Sequence, residues 1–257
     1  MNKRPLILIT NDDGIQALGI RTLIKVMRKI GEVVVVAPDS PMSGMGHAIT
    51  ITNPLRVNLI KKEEGYEEYS CNGTPVDAVK LGEKVIVGRK PDLLVSGINH
   101  GSNSSINILY SGTMGAVIEG AISGIPSIGF SLLDYSPGAD FSHTEEYIKK
   151  ITLKVLENGL PEGVCLNVNI PLVNGYDIKG IKICRQAKAA WEEDFDVHTD
   201  PHQRKFYWLH GEFKNLDDAV DTDEWALENH YVSVTPVKID LTDHQSITQL
   251  KNWEFNN

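Results

Sequence analysis

Two adjacent carboxylates, Asp12 and Asp13, follow a short apolar run near the start of the chain. Adjacent carboxylates repel each other unless a cation or a proton lies between them, and a bound metal is the simplest resolution. Gly14 permits the turn that lets the two side chains converge, because successive side chains of a strand point to opposite faces. Oxygen ligands favour a hard ion such as Mg²⁺ or Mn²⁺. A plain Asp-Gly turn is the alternative interpretation.

Two further polar clusters offer oxygen atoms for such an ion. Ser43 lies in a Gly-rich stretch that ends at His47, and Asn99 immediately precedes His100. Each cluster follows an apolar run that predicts a strand, so both should open at the same edge of a parallel sheet. A hydroxyl and an amide oxygen would add to the two aspartates as ligands. The two histidines are either acids or bases in catalysis or structural residues.

A third polar cluster, formed by Ser111, Gly112 and Thr113, precedes a helix predicted from about Gly115 to Ser123. Amides and hydroxyls at the positive end of a helix can hold a phosphate group. Ordinary capping of the helix by Ser111 or Thr113 is the alternative. Tyr110, just before the cluster, is either a surface on which a base stacks or a buried aromatic residue.

Positive side chains are missing from the segments that carry these clusters. Residues 93–133 include one charged residue, Glu119, and residues 38–53 contain no Lys or Arg. Any phosphate bound there would be neutralised by a metal and by backbone and hydroxyl dipoles. Polar, uncharged loops at strand ends are typical of ligand sites in open α/β sheets.

The elements that position these clusters follow an α/β pattern. Short, continuously apolar runs predict strands buried on both faces, as in a parallel sheet. The spacing of Leu18, Leu23 and Met27 predicts a helix between the first two strands, and Thr74-Pro75 predicts the start of another. We therefore expect a mostly parallel sheet flanked by helices. The predicted strands are Leu6–Thr10, Val33–Ala37, Leu93–Ser96 and Ser127–Ser131.

A length of 257 residues is at the upper end of what one hydrophobic core supports, so we expect a single domain over residues 1–257. Its core should cover about residues 1–184 plus a strand at 231–235. Residues 185–230, rich in acidic and aromatic residues, are predicted to form an arm, and residues 243–255 a terminal helix. Apolar residues in that helix would be costly to leave in water, so they dock either on their own core or on another chain.

The composition, 41% hydrophobic and 23% charged, is that of an ordinary globular protein. A net charge of -9 and a pI near 5.4 argue against binding to a nucleic acid duplex. The lack of a long apolar stretch argues against a membrane span. Three scattered cysteines predict reduced core residues, and the short apolar run at the start is too short for a signal peptide, so we expect a cytoplasmic protein.

Taken together, these motifs resemble the SurE family, the stationary-phase survival proteins that act as metal-dependent 5′/3′-nucleotidases and acid phosphatases. The resemblance covers most of the chain, and departures lie mainly in the arm, where Ala187 replaces a common Gly and residues 200–204 vary. The signatures occur in family order as ILITNDDGI, VVAPDSPMSGMGHAIT, NGTPVDAVKLG, PDLLVSGINHGSN, YSGTMGAVIEGA, LNVNIP, DTDEWAL and YVSVTPVKIDLTD.

The resemblance implies a Rossmann-like α/β core with a C-terminal arm and hairpin exchanged between the subunits of a homodimer or homotetramer. It implies one divalent ion per subunit, Mg²⁺ or Mn²⁺, and a phosphate site that includes Asn99 and Asn103 beside Ser111, Gly112 and Thr113. The expected reaction is hydrolysis of nucleoside 5′-monophosphates, with 3′-monophosphates and polyphosphate as further substrates. Asp12 and Asp13 are the catalytic candidates, and the implied metal ligands are Asp12, Asp13, Ser43 and Asn99.

Two other functions fit parts of this pattern. A non-catalytic metal- or nucleotide-binding sensor on the same fold would bind without turnover. A metal-dependent deacetylase would be expected to have a His beside the aspartate pair, where this chain has Asn11. For the phosphatase reaction, the nucleophile is either a metal-activated water or one of the two aspartates.

Overall fold

The computed structural model of the chain describes residues 4–172 and 175–253. Strands and helices alternate through most of these residues, as the spacing of apolar residues predicts. The elements, in chain order, are β1 (Leu6–Thr10), α1 (Leu18–Met27), β2 (Glu32–Pro38), β3 (Val57–Glu63), β4 (Tyr66–Cys71), α2 (Pro75–Leu81), β5 (Leu93–His100), α3 (Gly112–Ile122), β6 (Ser127–Leu132), α4 (Glu145–Asn158), β7 (Val164–Ile170), β8 (Gly180–Ile183), β9 (Ala189–Thr199), β10 (Lys205–Asn215), α5 (Asp223–Glu228), β11 (Tyr231–Lys238) and α6 (His244–Lys251).

Nine strands form one sheet, in the order β3-β4-β2-β1-β5-β6-β7-β11-β8. β1 pairs in parallel with β2 and with β5, and the parallel pairing continues through β6 to β7. β3 on β4 and β11 on β7 are antiparallel. The four predicted strands are β1, β2, β5 and β6, so the prediction of a mostly parallel α/β sheet flanked by helices is confirmed.

Helices cover both faces of the sheet, which explains why its central strands are continuously apolar. α1 and α4 pack on one face, together with Ile7 and Ile9 of β1. α2 and α3 contribute to the opposite face, together with Leu6 and Leu8. Every residue of β1 is buried as a result.

The order of the strands reverses at β1. From β1 the chain passes to β2 on one side and later returns to β5 on the other side. In open α/β sheets such a reversal leaves a crevice at the carboxyl ends of the strands, where ligands bind. Asp12 and Asp13 follow β1 directly, and Asn99 lies at the end of β5, so the topology brings these residues to the same crevice.

Two helices begin at capping residues that the sequence indicated. Thr74 caps α2 by accepting from the Asp77 amide, and the Asp77 carboxylate accepts from the Thr74 amide in return. α3 begins at Gly112, three residues earlier than predicted, because the Ser111 hydroxyl accepts from the Met114 amide and so supports one more turn. The helix therefore starts inside the polar cluster instead of after it.

The arm and the chain end extend away from the core. β9 and β10 pair with each other along their whole length as an antiparallel hairpin, and most of their side chains are exposed. α6 buries none of its residues. It ends at Lys251, whereas the predicted terminal helix runs to about residue 255, and residues 254 and 255 lie outside the described part of the chain.

The three cysteines, Cys71, Cys165 and Cys184, are buried and unpaired, as predicted for reduced core residues. Burial raises the pKa of Cys71 to about 11 and that of Cys165 to about 12, which disfavours the reactive thiolate. Among residues 4–172 and 175–253, no helix has the length and hydrophobicity needed to cross a bilayer.

Candidate functional site

Asp12 lies in the crevice with its carboxylate against the start of α3. The Thr113 hydroxyl donates to its Oδ1 at 2.7 Å, and the Thr113 amide donates to its Oδ2 at 3.1 Å. A Cβ added at Gly112 would lie 2.9 Å from the Asp12 Cβ, so only glycine permits this approach of helix to carboxylate. The metal-ligand candidate and the phosphate-loop candidate are therefore in direct contact.

Burial controls the charge of the aspartate pair. It raises the pKa of Asp12 to about 6, with a further rise from the nearby Asp13 carboxylate and an opposing effect of the Thr113 hydrogen bonds. Burial also raises the pKa of Asp13, although the hydrogen bond from the His100 amide opposes this rise. The protein's own donors thus leave the negative charge of the pair under-compensated, which is the condition in which a bound cation is most stabilising.

Asn99 presents its oxygen as the atom available to a ligand. Its Nδ2 donates to the His100 carbonyl at 3.1 Å and to the Gly101 carbonyl at 2.9 Å, so both amide hydrogens face backbone oxygens. The His100 amide donates to Asp13 Oδ2 at 3.3 Å, which ties the end of β5 to the aspartate pair. The His100 ring packs edge-on against Phe141, with ring centroids 4.9 Å apart.

Ser43 lies on the loop that links β2 to β3, and its side chain is exposed. The preceding residue, Met42, donates its amide to the Asp12 carbonyl at 2.7 Å. The loop also packs over Gly14, where an added Cβ would be 3.4 Å from the Ser40 carbonyl carbon. These contacts bring the Ser43 segment to the turn that carries both aspartates.

The donor chemistry at this crevice fits a hard divalent cation. It comprises two carboxylates, one hydroxyl and one amide oxygen, all of them oxygen ligands. Asn11 adds a buried Oδ1 atom that has no hydrogen-bond partner, while its Nδ2 holds the Gly14 carbonyl at 2.9 Å. In the described residues no group of three or more His, Cys, Asp or Glu side chains could hold a metal, so the hydroxyl and amide oxygens are needed to complete a set.

The residues of the Ser111-Gly112-Thr113 cluster, which are among the phosphate-site candidates, differ in the contacts that they make. Both donors of Thr113 go to Asp12, so in this structure Thr113 orients the carboxylate. Ser111 accepts from the Met114 amide at 3.0 Å, and its hydroxyl hydrogen can still be donated to a ligand. At Gly112 the close approach is made by Asp12, whose Oδ2 would lie 3.0 Å from an added Cβ, so this glycine accommodates the carboxylate at the first turn of an eleven-residue helix.

Asn103 is 6% exposed and is held by polar groups of neighbouring strands. Its Nδ2 donates to the Ser131 hydroxyl at 2.9 Å. Its amide donates to Asn169 Oδ1 at 2.8 Å, and its carbonyl accepts from Asn167 Nδ2 at 2.7 Å. The structure therefore places Asn103 within a buried network that supports the loop after β5.

Asn167 and Asn169 are residues that sequence reasoning did not single out as part of the site. Both are fully buried in β7, and Asn169 Nδ2 donates to Asn167 Oδ1 at 3.1 Å. A signal was present in the sequence, because two asparagines at positions i and i+2 of an apolar strand share one face. Buried amides of this kind require partners, which here are backbone groups of the site loop.

The base of the arm is joined to the same loop. Asp223 is buried and accepts from the Ser105 amide at 2.8 Å and from the Ala187 amide at 2.9 Å. The Ser105 hydroxyl donates to the Ala187 carbonyl at 2.9 Å. Ala187 is 3% exposed, so the alanine at this position fits a closely packed joint between arm and core.

A cavity of about 590 Å³ opens beside α3, between that helix and the end of β11. Its walls are mostly apolar, and His47 and Ser111 are among the polar residues that line it. Leu241, which also lines the cavity, is 88% exposed. Tyr110, next to this region, is 54% exposed, which favours its interpretation as a contact surface over that of a buried aromatic residue.

Comparisons with known proteins agree with this architecture. A sequence model of the family described as "Survival protein SurE" matches residues 7–193, a range that includes every candidate site residue. The 5′-nucleotidase SurE of Christiangramia forsetii is 61% identical over 99% of this chain and 98% of its own length. That of Flavobacterium psychrophilum is 61% identical over 98% of this chain and 99% of its own length.

A solved structure shows the same fold. The crystal structure of the SurE protein from Aquifex aeolicus superimposes with a TM-score of 0.83 at 42% sequence identity, and the match covers 97% of this chain and 100% of that one. Because the family model spans most of the chain and the relatives match nearly all of it, the chain belongs to the SurE family.

Proposed function

We propose that this chain is a metal-dependent phosphomonoesterase that hydrolyses nucleoside 5′-monophosphates to nucleoside and phosphate. The names of its relatives support the nucleotidase activity. The single observation that carries the proposal is the direct contact between Asp12 and Thr113 at the start of α3. A cation held by Asp12 would lie beside the helix end that attracts phosphate. The cation and the positive end of the helix would then act together on the negative charge of one phosphate group.

The residues that would hold the cation are Asp12, Asp13, Ser43 and Asn99, and the ion would be Mg²⁺ or Mn²⁺. When bound, such an ion neutralises phosphate oxygens and lowers the pKa of a coordinated water. Burial of the Asp12 carboxylate supports this assignment, since it raises the pKa of that group to about 6 in the protein alone.

The chain's own groups bind and orient the phosphate ester. The first turn of α3, with Ser111 and Gly112, directs backbone dipoles and a hydroxyl toward the phosphate, and Thr113 holds Asp12 in place. The nucleophile is either a metal-activated water or one of the two aspartates, Asp12 and Asp13. Asn103 holds the loop after β5 in place through its hydrogen bonds to Asn169 and Ser131. The lack of Lys and Arg in residues 93–133 suits a tolerant enzyme, and 3′-monophosphates and polyphosphate are included as substrates.

A panel of phosphate-release assays tests this function. The substrates are nucleoside 5′- and 3′-monophosphates, polyphosphate and p-nitrophenyl phosphate, each with and without chelator. We expect turnover of the 5′-monophosphates that chelation abolishes and Mg²⁺ or Mn²⁺ restores, and loss of turnover in Asp13→Asn. Nucleotide binding without phosphate release would instead establish the sensor function, and full activity in metal-free Asp13→Asn would refute the metal site.

We further propose that the active form is a homodimer or homotetramer that exchanges its arms and chain ends. α6 buries none of its residues on its own core, although Ile247 and Leu250 are apolar and 37% and 41% exposed. The β9–β10 hairpin pairs only with itself among the described strands, and Phe195, Val197 and Trp208 are exposed on it. An isolated hairpin is marginally stable at best, so cover from another subunit would stabilise it.

Light scattering on the full chain and on a chain ending at Asp240 tests the assembly. We expect an oligomer for the full chain and a smaller species after truncation. A monomer at micromolar concentration would refute the proposal, and an unchanged oligomer after truncation would refute the contribution of α6. We place the reaction in the cytoplasm, a compartment in which scattered cysteines such as these stay reduced.

A further inference from the structure

Glu119 is a buried carboxylate that the proposed reaction does not use. It lies in the last turn of α3, is 6% exposed, and is the single charged residue among residues 93–133. A buried carboxylate is costly unless other groups compensate its charge, and an apolar residue would fit a helix packed on a sheet more easily. The identity of its partners therefore indicates what the residue does.

Glu119 joins two separate elements to α3. Its Oε2 lies 3.0 Å from Nε2 of His47, which belongs to the β2–β3 loop that also carries Ser43. Its Oε1 accepts from Nζ of Lys80, which lies on α2. A neutral imidazole can make the first contact by donating its Nε2–H, so the contact does not require a charged histidine.

The loop is seated on α3 directly beside this contact. A Cβ added at Gly115 would lie 2.3 Å from the Gly46 carbonyl oxygen and 3.1 Å from the His47 Cα, so the loop backbone rests on the helix surface. The Gly46 amide also donates to the Tyr110 carbonyl at 3.1 Å. On the other side of Ser43, the Met42 amide holds the Asp12 carbonyl at 2.7 Å.

Residues 42–47 therefore form a short bridge with one end on Asp12 and the other end on α3. The Ser43 side chain is exposed and lies between the two anchored ends of the bridge, one residue after Met42 and four residues before His47, so its position depends on the anchors at both ends. Of the anchors at the α3 end, the His47–Glu119 contact is made by side chains and can be removed without changing the backbone.

We propose that Glu119 is a positioning residue that, through His47, holds the 42–47 bridge against α3 and so places the Ser43 hydroxyl beside Asp12 and Asp13. The inference rests on the proposed function in one respect, since placement of Ser43 matters for catalysis only if the site binds a cation. Lys80 has a different role, because its ion pair compensates the charge of Glu119 and joins that carboxylate to α2, which is not part of the bridge.

Two single variants separate positioning from simple stabilisation. His47→Ala and Lys80→Met each remove one partner of the same carboxylate, yet only His47 belongs to the bridge. They leave Glu119 in place, which avoids a change of volume inside the core. His47→Gln is the conservative variant, because its amide can donate to Glu119 in place of the ring nitrogen.

The first measurement is amide hydrogen exchange of residues 42–47 in metal-free protein. The second is Mn²⁺ binding by calorimetry, and the third is the metal dependence of phosphate release. For His47→Ala we expect faster exchange in the bridge and Mn²⁺ binding weakened by about 10-fold, the lower end for residues that orient metal ligands. At saturating Mn²⁺, kcat should change much less than the half-saturating metal concentration does.

Lys80→Met should leave bridge exchange and Mn²⁺ binding as in the unaltered protein, and His47→Gln should restore both. Unchanged exchange in His47→Ala, or equal acceleration in Lys80→Met, would overturn the proposal. If the unaltered protein bound no Mn²⁺, the proposed function would fail, while bridge exchange would still decide whether Glu119 positions the loop.

Discussion

The hydrogen bond from the Thr113 hydroxyl to Asp12 should control the pH range in which the site binds a cation. Thr113→Val removes this hydroxyl while keeping the shape of the side chain, and the Thr113 amide still reaches Asp12 Oδ2. The hydrogen bond favours the ionised carboxylate and so opposes the effect of burial on the pKa of Asp12. Its loss therefore raises the affinity of Asp12 for a proton.

The size of the effect follows from the strength of such a bond. A hydrogen bond to a charged group contributes about 1.5–3 kcal/mol, which corresponds to roughly a 10- to 100-fold increase in proton affinity when it is lost. Since the pKa of Asp12 is about 6 in the intact site, half of the carboxylate is ionised at pH 6. In the variant about 10% or less would be ionised at that pH, so metal affinity should fall by about 5-fold or more.

Metal binding by calorimetry at pH 6 and at pH 8.5, with Mg²⁺ as the ion, measures this effect. At pH 8.5 the carboxylate is mostly ionised in both proteins, so the affinities should differ by less than about 2-fold. Thr10→Val is the matched control, because the Thr10 hydroxyl is buried without a hydrogen-bond partner among the described residues. A ratio of affinities that is the same at both pH values, or an equal effect in the control, would refute the reasoning.

Three further outcomes are expected. Burial raises the pKa of Asp12 to about 6, above its value in the unfolded chain. In metal-free protein the contribution of this group to the free energy of unfolding is therefore fully present below about pH 4 and is lost as the pH rises through 6. The total loss is up to about 3 kcal/mol. Calorimetric melting should therefore show a larger Mg²⁺-induced rise in Tm at pH 7.5 than at pH 5, and equal rises would contradict this. Gly112→Ala should displace Asp12, because the new Cβ would lie 2.9 Å from the Asp12 Cβ, and calorimetry should show Mn²⁺ binding weakened by about 10-fold or more. Gly138→Ala is the control, since nothing lies within 4 Å of its added Cβ, and it should bind Mn²⁺ as the unaltered protein does. Asn169→Leu leaves the Asn103 amide without its acceptor, so urea unfolding should show that the free energy of unfolding falls by about 1–3 kcal/mol. Activity assays should show a raised KM for the nucleotide. An unchanged KM would mean that this hydrogen-bond network does not contribute to substrate binding.

Local features were sufficient to predict much of the framework. The continuous apolar runs at β1, β2, β5 and β6 predicted central parallel strands, because a strand covered by helices on both faces needs apolar residues at every position. The capping residue Thr74 marked the start of α2, since a hydroxyl at that position satisfies an amide of the first turn. For α3 the predicted start was about Gly115, and capping by Ser111 was the alternative interpretation. The strand-end position of Asp12 and Asp13 then followed from the order of elements along the chain.

Other features arise from contacts between residues distant in sequence, and local patterns carry no information about them. Thr113 and Asp12 are 101 residues apart, and their contact depends on α3 packing at the end of β1. For this reason the sequence suggested Thr113 as a phosphate ligand or a helix cap, while the structure shows it orienting a carboxylate. The close approach of α3 to Asp12 also depends on tertiary packing, since only a glycine at position 112 can lie so close to that side chain.

By itself, then, the sequence determined the fold class, the parallel strands and which oxygen-bearing residues lie at the strand ends, because these depend on hydrophobic periodicity and on turn and cap chemistry within a few residues. The tertiary structure alone decided which of those residues touch. It joined Asn103 to Asn169 and Glu119 to both His47 and Lys80, and it left α6 without a surface on its own core. Such contacts are set by strand order and by packing between layers, where a shift of one residue or one helical turn would exchange one partner for another.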